Sequence, residues 1–137
     1  MFIRVFLRLK LSPMLLVHSN EFWPAFRALR ALREFPVHDL VDDIISIITV
    51  GTHYYHKRAA VQSLGGYNDD LKVVRELGLI VRKDPDDSLR LEAIKSLARI
   101  KHSDSQEDLI SALRDDNAEV RVQASKALKL GKQYRLS

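Results

Sequence analysis

Cysteine is absent from the 137 residues. That removes disulfides, thiolate nucleophiles and cysteine-based zinc or iron–sulfur sites. It is compatible with a reducing compartment, and a cytoplasmic location is the expectation. No apolar run approaches the roughly 20 residues that a helix needs to span a bilayer. No Gly-rich phosphate loop, Ser/His/Asp order or pair of catalytic carboxylates stands out at the spacings those chemistries require. The expectation is therefore a protein without catalysis and without a cofactor. Acid is missing from residues 1–18, MFIRVFLRLKLSPMLLVH. An acid-poor, Arg-bearing segment suits organelle targeting or a membrane surface, but nothing like a small-residue cleavage site follows it. The preferred reading of 1–19 is a helical cap on a larger body, broken at Ser12-Pro13.

What is present is typical of a globular chain: 46% apolar and 29% charged residues, with a formal net charge of +4. The charge is unevenly placed. Residues 1–33 carry a net +5 and residues 121–137 another +5, around a centre at −6. Two basic ends flanking an acidic middle do not make a uniform nucleic-acid-binding face, although an end-on basic patch would still attract phosphates.

The most informative stretch is Asp84–Lys101, DPDDSLRLEAIKSLARIK. Asp84 suits an N-cap, Pro85 the first helical position, and Asp86 and Asp87 the first turn. Leu89, Ala93, Ile94, Leu97 and Ile100 then recur at the helical period. Asp115–Gly131 repeats the layout. Aligning Ala28, Ala60, Ala93 and Ala124 puts a Leu four residues after each, at Leu32, Leu64, Leu97 and Leu128. A separation of 31 to 33 residues between copies marks a stacked repeat rather than a closed globule. The small residue allows two helices to cross closely, where a Leu would hold them apart.

Second helices are expected between these first helices, over Val37–Thr49, Asp69–Lys83 and Asp104–Arg114. Breakers mark the joints: Pro36, Gly51, Gly65-Gly66 and His102-Ser103. The units fall near 20–50, 51–83, 84–114 and 115–131, in a repeat domain covering 20–137. Cap candidates are Asn20, Thr52, Asp84 and Asp115 or Asp116. Gly78 stands inside a helix at a cost of about 1 kcal/mol against Ala, which close packing would explain. The last unit has no second helix, so Val120, Ala127, Leu128 and Leu130 are expected to be partly wet, unless Lys126, Lys129 and Lys132 make that end a polar cap.

Asp84-Pro85, Leu89-Arg90, Ala93 and Leu97, with Asp115, Val120-Arg121, Ala124 and Leu128, resemble the HEAT-repeat family. The likeness is greatest to the short bacterial and archaeal form called the phycobilin-lyase-type HEAT-like repeat. Tyr54, Lys57, Ala60 and Leu64-Gly65 form a weaker copy, and Pro24, Ala28 and Leu32 the weakest. The resemblance implies an all-α, right-handed α-α superhelix of about three and a half two-helix repeats. It also implies a ladder in which Lys57, Arg90 and Arg121 pair with loop aspartates such as Asp84 and Asp115. The family's di-iron hydroxylases take their ligands from His-Glu pairs. Here no His is followed by Glu, so that chemistry is not expected.

A non-catalytic protein-interaction scaffold is therefore the expected function, with the partner on the concave face made by second helices. Asp39, Asp42, Asp43, Arg75, Glu76, Glu107, Asp108 and Arg114 are its candidate contacts. Self-association through the uncapped C-terminal helix is a further expectation. The second reading is nucleic-acid binding through the basic ends and an outer strip of Arg27, Arg30, Arg33, Lys95 and Lys126; Glu34 and Glu92 dilute that strip. An accessory bilin-lyase-like factor comes third, on the resemblance alone. His53 and His56, spaced i, i+3, lack a third ligand at a metal-binding spacing, and with Tyr54, Tyr55 and Tyr67 they suggest a polar aromatic patch.

Overall fold

Among the described residues seven α-helices follow the repeat. The computed structural model describes residues 22–50 and 53–135, with side chains described over 26–50 and 53–129. The segment 1–19, Asn20, Thr52, Leu130 and Lys132 therefore lie outside the described residues or side chains. The helices are α1 (Phe22–Glu34), α2 (Val41–Val50), α3 (Tyr54–Leu64), α4 (Leu71–Lys83), α5 (Asp87–Ile100), α6 (Gln106–Ala112) and α7 (Ala118–Arg135). Short 3-10 turns, His38–Leu40 and Ser103–Ser105, precede α2 and α6. There is no strand among the described residues, including the β-branched run Ile44–Val50, which is helical. Apolar periodicity and burial outweigh local propensity there.

First helices α1, α3, α5 and α7 pack in succession, and second helices α4 and α6 lie side by side. The aligned alanines sit where the row is tightest: Ala60, Ala93 and Ala124 are fully buried, and Ala28 almost so. Beside them the Ser96 hydroxyl donates to the Val61 carbonyl at 2.9 Å, tying α5 to the backbone of α3. One core runs the length of the stack, with Leu29, Leu32, Leu64, Leu77, Ile94 and Leu97 among its fully buried members.

The packing corrects the expected pairing. Each second helix packs most extensively on the first helix that follows it: α2 on α3, α4 on α5, α6 on α7. Hence α7 is not left without a partner. Val120 and Ala127 are buried rather than partly wet, while Leu128 is half-buried, as expected. The outward face of α7 also differs from its counterpart on α5. Where α5 places Leu91, Ile94 and Ala98, α7 has Val122, Ser125 and Lys129. The helix itself continues through Gly131 to Arg135 rather than ending at the glycine.

The caps are shifted as well. Asp86, not Asp84, is the N-cap of α5, its carboxylate accepting from the Ser88 N–H at 2.9 Å and the Ser88 hydroxyl at 2.6 Å. Asp84 closes α4 and accepts from the Asp86 N–H at 2.9 Å, with Pro85 in the linker. The next joint repeats the arrangement. Asp115 accepts from the Asn117 N–H at 2.9 Å, and Asn117 caps α7 by accepting from Glu119 N–H at 2.8 Å. The repeated unit is thus an Asp-x-Asp/Asn turn whose first residue folds the linker and whose third caps the helix.

Gly78 has the packing reason expected of it. A Cβ there would overlap the carboxylate of Asp108 on the neighbouring α6. At the turn after α3, a Cβ on Gly66 would collide with the Arg33 carbonyl oxygen, so the α3–α4 turn lies directly on the end of α1.

Candidate functional site

The ladder residues separate into those that hold the stack and those that do not. Arg90 donates from Nε and Nη2 to the two carboxylate oxygens of Asp115, at 2.8 and 3.0 Å, and from Nη1 to the Asp84 carbonyl at 2.9 Å. This fork-to-fork pair joins α5 to the loop of the next unit. Its side chains are 15% and 9% exposed. The guanidinium holds the Asp115 carboxyl below the usual aspartate range, and the carboxylate raises Arg90 in turn. Asp84 thus serves the ladder with its carbonyl rather than its carboxylate. Arg121 repeats half of the motif, donating from Nη1 to the Asp115 and Asp116 carbonyls at 2.7 and 3.1 Å. Lys57, at the matching position of α3, makes no such ion pair with a described residue. A lysine presents one point charge where the rung needs a planar fork. A second link between units runs from Asn117 Nδ2 to the Asp87 carboxylate at 2.7 Å.

Two further linkages were not legible as such in the sequence. Glu92 is buried on α5 and accepts from Arg58 Nε and Nη2 at 3.3 and 3.1 Å and from Gln62 Nε2 at 3.1 Å, all from α3. Lys95 stands 4.0 Å away on its own helix. Tyr67 is fully buried, so it belongs to the core and not to a surface aromatic patch. Its hydroxyl accepts from the Val37 N–H at 3.2 Å and donates to the Val37 carbonyl at 2.9 Å. Burial pushes that phenol up to about 12. His56 is buried with its ring edge-on to His53, centroids 5.3 Å apart. Among the described residues no group of three or more His, Cys, Asp or Glu is placed to hold a metal ion.

The candidate contacts divide by helix. On and just before α2, Asp39 and Asp42 are exposed and Asp43 is half-buried; burial, and then Asp42, raise Asp43 above the ordinary aspartate value. Asp42 forms an ion pair with Lys72 of α4. On α4, Arg75 is exposed and Glu76 half-exposed; on and just after α6, Glu107 and Arg114 are exposed. Asp108 departs from the expectation. It is 7% exposed, packs over Gly78 and pairs with Arg82, so it joins α4 to α6 and is not offered to a partner. Two apolar side chains that charge-based reasoning passed over share this surface: Leu79, 42% exposed, and Ile110, 54% exposed. Between α4 and α6 runs an open groove of about 660 Å³, edged by Arg82, Lys83, Glu107, Ile110 and Arg114.

The basic outer strip is present but interrupted. Arg27, Arg30, Arg33, Lys95 and Lys126 are all exposed. Yet Glu34 lies 3.8 Å from Arg33 and 4.0 Å from Arg99, and Glu92 draws on Lys95.

A row of first helices, a row of second helices and an Arg–Asp rung across the joint define a helical-repeat scaffold. Residues 74–133 match the family model for HEAT repeats. That stretch runs from within α4 to near the end of α7, and over it the chain is similar to HEAT repeats. No curated protein matches it. No helix among the described residues is long and apolar enough to cross a membrane.

Proposed function

We propose that this chain is a non-catalytic protein-binding module whose partner seats on the second-helix face. HEAT repeats commonly serve as protein-interaction scaffolds, and the coarse reading rests on that. The observation that carries the finer one is the surface of α4 and α6. Leu79 and Ile110 stand exposed on neighbouring helices, beside Glu76, Lys83, Glu107 and Arg114, and none of these four charges has an ion-pair partner among the described residues. Exposed apolar side chains ringed by uncommitted charges are the composition of a binding patch: apolar contact gives affinity, and charge sets register and choice of partner. On the first-helix face, by contrast, Glu34 and Glu92 offset the arginines and lysines that a phosphate backbone would need.

The test is capture of protein partners from native lysate by the full chain and by Leu79→Asp and Ile110→Asp variants of unchanged melting temperature. Loss of capture in both variants supports the proposal. Capture indifferent to both overturns it. Binding to duplex DNA whose log affinity falls with log salt at about −0.9 per phosphate contact would favour the outer strip instead.

A further inference from the structure

The second helices α4 and α6 carry the same surface triplet at the same spacing. On α4 it is Glu76, Leu79 and Lys83; on α6 and the turn after it, Glu107, Ile110 and Arg114. At a rise of about 1.5 Å per residue, each acid stands about 4.5 Å along the helix from its apolar residue, and Lys83 about 6 Å on the other side; Arg114 follows Ile110 in the turn that ends α6. Side by side, α4 and α6 therefore present three rows: anionic, apolar and cationic. Of the nearby charges, Lys72 pairs with Asp42 and Arg82 with Asp108, while Asp116 stands exposed in the groove that Lys83 and Arg114 also line. Arg75 lies on the flank of α4 toward α6, in a groove it shares with Asp104, Gln106, Glu107 and Asp108, so it offsets part of the acid there.

We infer that the occupant of this face is a second copy of the same chain, related by a two-fold axis lying along the Leu79–Ile110 row. The inference rests on the reading of the second-helix face as the binding surface and names its partner. Rotation about that axis returns the apolar row to itself. Leu79 then meets Leu79 of the other copy, and Ile110 meets Ile110. The same rotation exchanges the two outer rows, so Lys83 and Arg114 face the other copy's Glu76 and Glu107, and the reverse. The axial offsets of about 4.5 and 6 Å differ by less than a Lys or Arg side chain can take up. An isologous contact requires self-complementarity, and these rows have it. A uniformly acidic or uniformly basic partner would meet like charge along one edge.

Charge exchange tests this with the full-length chain. One variant carries Glu76→Lys and Glu107→Lys, the other Lys83→Glu and Arg114→Glu. All four positions are at the surface, and far-UV circular dichroism and melting curves check that each variant folds. Sedimentation equilibrium from micromolar to several hundred micromolar reads the association. The unaltered chain is expected to dimerise. Each variant alone, with like rows facing, is expected to dimerise at least about tenfold more weakly, and an equimolar mixture to recover association as a mixed dimer. An unaltered chain that stays monomeric overturns the inference, as do variants that associate as the unaltered chain does, or a mixture that fails to pair. A monomeric chain that still loses another protein on Ile110→Asp would remove the self-association and leave the binding face standing.

Discussion

Replacing Arg90 by alanine removes the best-formed rung between units. Two charge-assisted hydrogen bonds to Asp115 disappear, together with the bond to the Asp84 carbonyl. A hydrogen bond to a charged group is worth about 1.5–3 kcal/mol net, and breaking a fully buried ion pair costs about 3–5 kcal/mol. This pair is 15% and 9% exposed, so water recovers part of that loss, and a cost of about 2–3 kcal/mol is expected. Unfolding entropy of about 2.1 cal/mol/K per residue amounts to roughly 0.29 kcal/mol/K over 137 residues. The melting temperature should then fall by about 7–10 °C. The matched control is Lys57→Ala, at the same repeat position but without a rung, which should cost under about 0.5 kcal/mol. Thermal melts by circular dichroism measure both, and an Arg90/Asp115 double-mutant cycle isolates the pair from the turn that Asp115 also holds. A melting shift below about 3 °C for Arg90→Ala, or one as large for Lys57→Ala, refutes the ladder as a source of stability.

Other consequences follow from the same contacts. Glu92→Ala leaves Arg58 and Gln62 without their shared acceptor and should destabilise by about 1–3 kcal/mol, read by urea unfolding. Gly78→Ala should destabilise the unaltered chain, because the new methyl meets Asp108; in an Asp108→Ala background it should instead stabilise by up to about 1 kcal/mol through helix propensity. On pH, Asp115 is held below its ordinary value of 3.8 by Arg90, and Asp86 by the Ser88 hydroxyl. The unfolded chain therefore binds more protons there, so their contribution is complete above that value and is lost as pH falls through and below it. Melting temperature should drop on acidification from about pH 5 to pH 3, and drop less in Asp115→Asn.

The repeat was legible because its signal is written in spacing. Four alanines at separations of 31 to 33 residues, each followed by a leucine, mark where first helices cross, and all four are buried. Helix limits were less legible. Asp84 and Asp86 are both good caps, and only the backbone shows that the first folds the linker and the second caps the helix. The joining of α6 to α7 was hidden for a similar reason, since periodicity shows that a face is apolar but not which neighbour covers it. Charge read along a line also misassigns depth. Asp108 and Glu92 look like surface acids in sequence, yet each is drawn inward by an arginine on an adjacent helix. The apolar members of the candidate site, Leu79 and Ile110, passed as ordinary helix residues. Only their exposure side by side on packed helices makes them a feature.

On the proposed function, binding uses the second-helix row. Amide hydrogen exchange, comparing the free chain with the chain saturated by the partner it captures, tests it most directly. Slowed exchange is expected to concentrate over α4 and the segment from α6 through Arg114, with α3 and α5 little changed. Protection centred on α3 and α5, with α4 and α6 exchanging as in the free chain, would contradict it.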